Sequence, residues 1–291
     1  MSAHIRSVII ITKSGDLEAL ALGRRVADWL MAREVMARVT EHSPDNGDLP
    51  ACVTGETPCL LLILGGDGTF ISVARRAHAA SLPLLGLNMG HVGFWTELTR
   101  DNWEQGLTLV LEQGLRTKAR LLLAFSIFRD GMLVHGGYAV NELTVGRGAL
   151  ARLVRLSLFA ADEHISTLRA DGIIVSSPSG STAYCVSAGG PILHHDLQAY
   201  CVTPVCPFLN DFRPLVLPAS VVLRIRVEET SGEVCLTEDG QAAFALMPGD
   251  LVEVTRAPRD LLVAETGAVS YFGTLKDKGF LTGGKNCDPA I

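Results

Sequence analysis

The 291-residue sequence contains no long apolar run. Its longest apolar stretches, such as Leu121–Phe128, fall far short of the roughly 20 residues that a bilayer crossing needs. The N-terminal segment Met1–Lys13 also lacks a long apolar stretch followed by a small-residue cleavage site, the pattern of an export signal. These absences predict a cytoplasmic protein with no membrane partner.

An excess of positive charge is also missing. The formal net charge is −6, so the surface has no diffuse positive field with which to hold nucleic acid through its phosphates. The net charge does not exclude a local cluster of basic residues that binds an anion. Hydrophobic residues make up 48% of the chain and charged residues 19%, which is typical of a globular protein rather than a disordered one.

Cysteine pairs at redox or metal-binding spacing are absent as well. The cysteines are odd in number and include no Cys-x-x-Cys pair, so we interpret them as reduced thiols that mostly fill the core. No metal ligands are assigned among them. They stand at positions 52, 59, 185, 201, 206, 235 and 287.

The first 115 or so residues alternate short β-branched runs with helical patterns. This alternation is typical of βαβ units and predicts an α/β N-terminal domain with a Rossmann-like parallel sheet over residues 1–117. The predicted strands are Val8–Thr12, Val35–Thr40, Leu60–Leu64 and Leu84–Leu87, and the predicted helices are Asp16–Arg33 and Asp101–Glu112.

From about residue 120 the pattern changes to short strands separated by turn residues. It predicts an antiparallel, β-rich and β-sandwich-like C-terminal domain over residues 118–270. A tail over residues 271–291 follows, and its return to the first domain stays open. The predicted strands are Leu121–Phe128, Leu133–Leu143, Arg152–Phe159, Ile173–Ser176, Ser220–Val227, Val234–Thr237 and Leu251–Thr255.

A glycine-rich turn follows the apolar run that ends at Leu64. It reads Gly65-Gly66-Asp67-Gly68-Thr69 and leads into the predicted helix Ile71–Ala80. A strand, a glycine turn and a helix N-terminus together favour a bound phosphate, because backbone N–H groups and the helix dipole attract anions. Asp67 would repel that anion unless it served as a general base or helped hold Mg²⁺. The alternative is an ordinary turn in which Asp67 caps the helix.

Two polar segments lie further along the chain. In the first, Asn141 and Glu142 follow an apolar run and could read donor and acceptor groups on a base or a ribose. In the second, Arg169–Tyr184, an apolar strand leads into small and hydroxyl-bearing residues. There Ser181 and Thr182 are expected to cap a helix through Ala183–Ala188. The alternatives are a strand end with two solvated side chains, and a plain loop before a helix.

Taken in order, these three elements resemble the NAD kinase family, of the bacterial, ATP-dependent type. The family signature is a Gly-Gly-Asp-Gly-Thr loop, an Asn-Glu pair and a segment like Thr-Pro-Thr-Gly-Ser-Thr-Ala-Tyr. The first motif is shared with diacylglycerol kinases, sphingosine kinases and phosphofructokinases, whereas the last is much more specific. Segments that also fit are Asn88–Glu97, Ser187–Pro191, Arg213–Pro218 and Asp239–Gln241.

This chain departs from the family pattern in three places. Ser177 and Ser179 replace threonines, which keeps the hydroxyl groups. Trp95 replaces a common leucine or tyrosine. The segment Pro207–Phe212 stands where the family often has Pro-His-Thr-Leu-Ser.

The resemblance implies transfer of the γ-phosphoryl group of ATP to the adenosine ribose 2'-hydroxyl of NAD, with Mg²⁺ or another divalent ion. It implies Asp67 as the general base, and homodimers or homotetramers. The ATP phosphates would lie at Gly65, Gly66, Gly68 and Thr69. The implied NAD-binding residues are Asp67, Gly68, Phe94, Asn141, Glu142, Arg169, Asp171, Thr182, Ala183, Tyr184 and Ser187.

Within that set, the resemblance places the nicotinamide end at Asp171 and the new 2'-phosphate near Arg169. Phe94 would line the adenine pocket, and Thr182–Ser187 would contact adenine and ribose. The alternative interpretation, without the resemblance, is a surface ion pair between Arg169 and Asp171, with Phe94 and Tyr184 as packing residues.

Competing functions remain open at this stage. A lipid or sugar kinase would share only the glycine loop, and a non-catalytic NAD sensor would explain the divergent Pro207–Phe212. A dehydrogenase is disfavoured, because Thr12–Gly15 lacks the Gly-x-Gly-x-x-Gly spacing. The sequence leaves open ATP or polyphosphate as donor and NAD or NADH as acceptor.

Overall fold

A computed structural model describes residues 5–42, 59–90, 93–148, 152–209, 211–228, 232–267 and 270–281. The chain forms two compact units. The first comprises Met1–Phe70, Leu82–Lys118 and Val263–Ile291, and the second comprises Ile71–Ser81 and Ala119–Leu262. The predicted domain limits at 117/118 and 270/271 stay predictions.

The first unit is built on a mostly parallel sheet. Its strands are β1 (Ser7–Lys13), β2 (Met36–His42), β3 (Cys59–Leu64), β4 (Leu84–Asn88), β5 (Leu98–Thr99), β6 (Arg116–Arg120) and β19 (Leu261–Glu265). Their order is β2-β1-β3-β4-β19-β6, with β5 beside β4. The pairings of β1 with β2 and β3, and of β4 with β3, β5 and β19, are parallel. Residues 60–64 are fully buried, as expected of a parallel strand covered on both faces. The predicted Rossmann-like sheet is confirmed.

Five α-helices occur in the described residues. They are α1 (Leu17–Met31), α2 (Asp67–Ala77), α3 (Trp103–Gln113), α4 (Tyr184–Ser187) and α5 (Tyr271–Asp277). Helix α1 follows the predicted apolar spacing and buries Leu22, Val26 and Leu30. The Asp16 carboxylate caps it by accepting the Ala19 N–H at 2.9 Å.

The second unit contains two six-stranded antiparallel sheets. Its strands are β7 (Leu123–Arg129), β8 (Met132–Ala139), β9 (Glu142–Arg147), β10 (Val154–Ala160), β11 (Glu163–Ala170), β12 (Gly172–Ser176), β13 (Ala199–Val205), β14 (Leu215–Pro218), β15 (Leu223–Val227), β16 (Val234–Glu238), β17 (Ala242–Leu246) and β18 (Leu251–Arg256). The sheet orders are β11-β10-β15-β18-β7-β8 and β14-β13-β12-β9-β16-β17. Alternate residues of both sheets share one apolar core, with Phe125 and Ile127 of β7 beside Leu143 and Val145 of β9. The predicted β-sandwich-like fold is confirmed.

One predicted strand was wrong. The run Leu133–Leu143 is two strands in different sheets, since β8 ends at Ala139 and β9 begins at Glu142. Val140 and Asn141 form the crossing, where their N–H groups need partners outside the ladder of either sheet. The apolar pattern continues across this point and therefore hid the break.

Cys185, Cys201, Cys206 and Cys235 carry no disulfide. Cys185 and Cys201 are buried, Cys235 is half-buried and Cys206 is exposed. Cys52 and Cys287 lie outside the described residues. None of the helices in the described part of the chain has the length and apolar composition that a bilayer crossing requires.

Candidate active site

The glycine turn lies at the carboxyl end of β3, where it starts α2. The Gly65 N–H donates to the Leu87 carbonyl at 3.0 Å, and the first backbone bond of α2 runs from Phe70 N–H to Gly66 O at 3.1 Å. A Cβ at Gly65 would lie 2.7 Å from the Thr69 Oγ1, so the turn is too tight for a side chain there. Gly66 and Gly68 are exposed. The arrangement presents a helix N-terminus to an anion.

The Asp67 carboxylate is held from outside its own helix. Its Oδ2 accepts the Phe94 N–H at 2.8 Å, and its Oδ1 accepts the Trp95 N–H at 3.1 Å. The Trp95 ring is buried and stacks on Phe70 at 5.3 Å, which anchors this segment. The alternative of an Asp that caps its own helix is therefore wrong. The two N–H donors fix the position of the carboxylate at the start of α2.

The Phe94 side chain is half-buried, and its ring lies 5.8 Å from that of Phe280. It is therefore a partly exposed aromatic rather than a fully packed core residue.

Gly93 brings this segment close to Asp67. A Cβ at Gly93 would lie 2.5 Å from the Asp67 Oδ2 and closer still to Oδ1. We expect Gly93→Ala to displace the Asp67 carboxylate by about 1 Å and to lower kcat by up to about 10²-fold. Steady-state kinetics at saturating substrates measures this. Gly90→Ala is the control, because its methyl group would meet only the Asn88 Oδ1, at 3.9 Å, and activity should persist. Equal activity of both variants would contradict the prediction.

In the second unit, the hydroxyl-rich loop packs directly on the backbone of Asn141. The Ser177 N–H donates to the Asn141 carbonyl at 2.8 Å, and the Ser177 hydroxyl donates to the Val140 carbonyl at 2.7 Å. A Cβ at Gly180 would lie 2.5 Å from the Asn141 Cα. The structure thus brings together two motifs that are some 35 residues apart in sequence.

The predicted capping by Ser181 and Thr182 was wrong. Residues Ser179–Thr182 form a 3-10 turn, and the short α4 starts after Ala183 without a side-chain cap. The Ser181 hydroxyl instead accepts the Leu193 N–H at 2.9 Å and donates to Pro178 O at 2.7 Å. Its role is to fold the loop on itself. Ala183 is the N-cap residue of α4, and Ser187 is its last residue.

Glu142 is buried beside this loop rather than solvated at a strand end. Glu142 is only 9% exposed, and its Oε2 has no hydrogen-bond partner among the described residues. Burial, followed by the nearby charge of Asp239, raises the pKa of Glu142 to about 8, although the Tyr184 N–H opposes this by donating to the carboxylate. At neutral pH Glu142 is therefore protonated and can donate a hydrogen bond from a carboxyl group.

This environment predicts a pH-dependent stability. The folded-state pKa lies above the ordinary value of 4.5, so wild type loses stability as pH rises from about 4.5 to about 8. The glutamine side chain of the Glu142→Gln variant cannot ionise. The free energy of unfolding of this variant relative to that of wild type should therefore rise over that pH range by on the order of several kcal/mol and then level off. Thermal and urea unfolding from pH 4 to 9 measure this. Glu163→Gln, at an exposed glutamate of β11, controls for the substitution itself. A pH-independent difference would contradict the prediction.

Asp171 and Tyr184 line a cavity of about 330 Å³. The Arg147 Nε donates to the Asp171 Oδ1 at 2.7 Å, and Arg147 lines the same cavity. The ion pair of Asp171 is thus made with Arg147 and not with Arg169. The Tyr184 residue is 45% exposed, which leaves its ring accessible from this cavity.

Arg169 has an exposed side chain on β11. Its backbone carbonyl accepts the Phe208 N–H at 2.7 Å, so the divergent segment 207–212 is attached here. Phe208 and Leu209 are exposed, and Asn210 lies outside the described residues.

Sequence reasoning missed Gly93, Arg147 and the role of Asp239. Arg147 is the last residue of β9, in a stretch with no motif, and the pairing of Gly146 with Gly172 brings it to Asp171. Gly93 was recognised only as part of a family-like segment. No local pattern signals either contact, because both join residues that are more than 20 positions apart.

One cluster of potential metal ligands occurs among the described residues. The ligand atoms of His194, His195 and Asp196 lie within 4.8 Å of one another. The Asp196 Oδ1 also accepts a hydrogen bond from the Arg120 guanidinium at 2.7 Å. The two imidazoles of the cluster suit zinc-like ions rather than Mg²⁺.

Comparisons with known proteins bear on both units. Family models described as the ATP-NAD kinase N-terminal and C-terminal domains match residues 52–115 and 140–266. A protein named NAD kinase from Nitratidesulfovibrio vulgaris strain Miyazaki F is 48% identical over 97% of this chain and 99% of its own. One of the same name from Oleidesulfovibrio alaskensis is 43% identical over 97% and 95%.

Two solved structures share the fold. Yeast NADH kinase complexed with NADH superposes with a TM-score of 0.80 at 22% identity, over 99% of this chain and 91% of that one. An NAD kinase from Archaeoglobus fulgidus in complex with ATP gives 0.70 at 21% identity, over 89% and 94%. The resemblance inferred from the motifs is confirmed by the family models and the close relatives, and the chain belongs to the ATP-NAD kinase family.

Proposed function

We propose that this chain is an NAD kinase, which transfers the γ-phosphoryl group of ATP to the 2'-hydroxyl of the adenosine ribose of NAD. Membership of the family supports the reaction class and both substrates. The observation that carries the catalytic assignment is the Asp67 carboxylate, held at the start of α2 by the N–H groups of Phe94 and Trp95. A carboxylate so placed beside an anion-binding turn suits a proton acceptor better than a phosphate ligand.

In the proposed step, the ribose 2'-oxygen attacks the γ-phosphorus and gives up its proton to Asp67. The bond from the γ-phosphorus to the β,γ-bridging oxygen breaks, and ADP leaves with that electron pair. The phosphates lie against Gly65, Gly66, Gly68 and Thr69 and accept from the N–H groups of the last three and from the Thr69 hydroxyl, since the Gly65 N–H is bonded to Leu87.

Magnesium enters this scheme as part of the MgATP substrate. The described residues offer no group of three carboxylates within coordinating distance of one another, whereas Mg²⁺ commonly uses phosphate oxygens, waters and one or two carboxylates. When bound, the ion neutralises charge on the transferring phosphoryl group. Asp67 is the carboxylate of the glycine turn that could contact it.

For NAD we propose the residues that the family resemblance implies. Asn141 and the protonated Glu142 read polar groups of the dinucleotide, and Asp171 contacts its nicotinamide end. The exposed Arg169 supplies a cation for the 2'-phosphate of the product. Adenine and ribose are contacted by Phe94, Thr182, Ala183, Tyr184 and Ser187. Asp67 and Gly68 complete the proposed NAD-binding set. Homo-oligomeric assembly and a cytoplasmic location stay predictions.

The decisive experiment incubates the purified protein with Mg²⁺, NAD or NADH, and ATP or polyphosphate, and measures NADP(H) by an enzymatic cycling assay. We expect NADP from NAD and ATP. Calorimetric binding of NAD without product would overturn the kinase in favour of a non-catalytic sensor. Phosphorylation of a lipid or a sugar but not of NAD would overturn the acceptor.

A further inference from the structure

We propose that Asp239 is a positioning residue for the acceptor substrate, because its carboxylate fixes the backbone of the Asn141–Glu142 pair. The inference rests on the proposed function only in taking NAD as the ligand of that pair. Asp239 itself contacts no substrate in this scheme.

The Asp239 carboxylate gathers three consecutive backbone donors. Its Oδ2 accepts the Val140 N–H at 3.0 Å, and its Oδ1 accepts the N–H groups of Asn141 at 2.7 Å and Glu142 at 3.1 Å. In return, the Asp239 N–H donates to the Glu142 carbonyl at 2.9 Å. Four hydrogen bonds therefore tie the β16–β17 turn to the point where the chain crosses between the sheets.

A carboxylate suits this position for a physical reason. Val140 and Asn141 lie between β8 and β9, and Glu142 is the first residue of β9, so their N–H groups need acceptors outside the ladders. An ionised carboxylate has two oxygens and no donor, and it can accept all three N–H groups at once. The NH₂ group of an asparagine would face one of these N–H groups and could not accept a hydrogen bond from it. The crossing thus depends on the Asp239 side chain for its shape.

Arg75 supports the turn from α2. Its Nη1 donates to the Glu238 carbonyl at 3.0 Å and lies 3.6 Å from the Glu238 carboxylate, and its Nη2 donates to the Gln241 Oε1 at 3.4 Å. Burial raises the pKa of Asp239, while the three N–H donors and then the Arg75 charge act in the opposite direction.

Asp239 also acts on the chemistry of Glu142. The charged and titratable groups that face Glu142 are Asp239 from the β16–β17 turn and the Cys185 thiol from α4, and both raise its pKa after burial. The Tyr184 N–H lowers it. Loss of the Asp239 charge should therefore lower the pKa of Glu142. Exposure of Glu142 to water would lower it in the same direction, so a melting curve must show that the variant keeps the native fold.

The first test is kinetic and uses Asp239→Asn. Asparagine has the same shape and tolerates the φ of +50° found here. We expect the KM for NAD to rise about 10- to 100-fold, with kcat within about threefold of wild type, because a distorted Asn141–Glu142 pair binds NAD less well in the ground state and the transition state alike. An unchanged KM would overturn the proposal.

Asp250→Asn is the matched control. Asp250 lies in the second unit and, like the half-buried Asp239, holds a turn, through the Met247 N–H and Arg129 at 2.8 Å, although Asp250 itself is fully buried. It contacts none of residues 140–142 in the hydrogen bonds described. Its loss should lower the melting temperature and leave the KM for NAD unchanged. An equal KM rise in both variants would show a general structural effect and overturn the proposal.

The second test needs no kinase activity. Glu142→Gln is made in the wild-type and Asp239→Asn backgrounds, and the stability difference of each pair is followed from pH 4 to 9. In the Asp239→Asn background the rise should end at a lower pH, since Glu142 then ionises more readily. Coincident curves would overturn the proposal. If wild type forms no NADP, the proposed function fails while this readout still decides the role of Asp239.

A measurement on wild type covers an Asp239→Asn variant that does not fold. The amide protons of Val140, Asn141 and Glu142 should exchange as slowly as those of the adjoining ladder of β9, because all three are bonded to the one Asp239 carboxylate. Rapid exchange of the three would show that Asp239 does not hold the crossing, and would overturn the proposal.

Discussion

Asp67→Asn should lose about 10²- to 10⁴-fold in kcat, which corresponds to roughly 3 to 5 kcal/mol of transition-state stabilisation. The carboxamide keeps one oxygen for a backbone N–H of Phe94 or Trp95, but it cannot take the proton of the ribose hydroxyl. Affinity for NAD should stay within a few fold. The rate of NADP formation at saturating substrates and calorimetric NAD binding test the two halves of this expectation.

The control for this change is Asp28→Asn, which makes the same substitution on the exposed face of α1. It should keep full activity. The amide group introduced by Asp67→Asn would oppose one N–H donor, so a melting curve must show that this variant is folded at the assay temperature. A folded variant with near-normal turnover would rule out Asp67 as the general base.

Gly180→Ala should damage both stability and NAD binding. A Cβ there would overlap the Asn141 carbonyl and lie 2.5 Å from its Cα, and a backbone cannot yield as the end of a flexible side chain can. Overpacking of this kind costs about 1–3 kcal/mol or more. Because the displaced residue is Asn141 itself, we also expect the KM for NAD to rise by about 10²-fold. Urea unfolding and steady-state kinetics measure the two effects.

Gly273→Ala tests whether the site or the substitution matters. Gly273 lies in α5, and its added methyl group would meet Ser270 Cβ at an ordinary 3.5 Å. Alanine is the better helix former by about 1 kcal/mol, so this variant should be as stable as wild type or more stable. If Gly180→Ala behaved like Gly273→Ala, the close packing of the loop on Asn141 would be contradicted.

The order of strands and helices along the chain could be predicted wherever it depends on residues close together in sequence. Apolar runs such as Leu60–Leu64 and the helical spacing after Asp16 specify strand and helix by their own periodicity, and the glycine turn at Gly65 is written in five consecutive residues. The hydroxyl-rich loop ending at Tyr184 was also visible as a motif. Its internal folding was not, and the capping by Ser181 was wrong because that hydroxyl bonds Leu193, twelve residues away.

Sequence alone therefore determined the succession of elements, the glycine turn with its carboxylate, and the motifs that indicate the family. Only the tertiary structure decided what holds Asp67, why Glu142 is protonated, which cation pairs with Asp171 and what fixes Asn141. The reason is physical. Periodicity and turn chemistry act between residues a few positions apart, whereas the bonds of Asp67, Asp171 and Asp239 span 27, 24 and 98 positions and exist only once the sheets have formed.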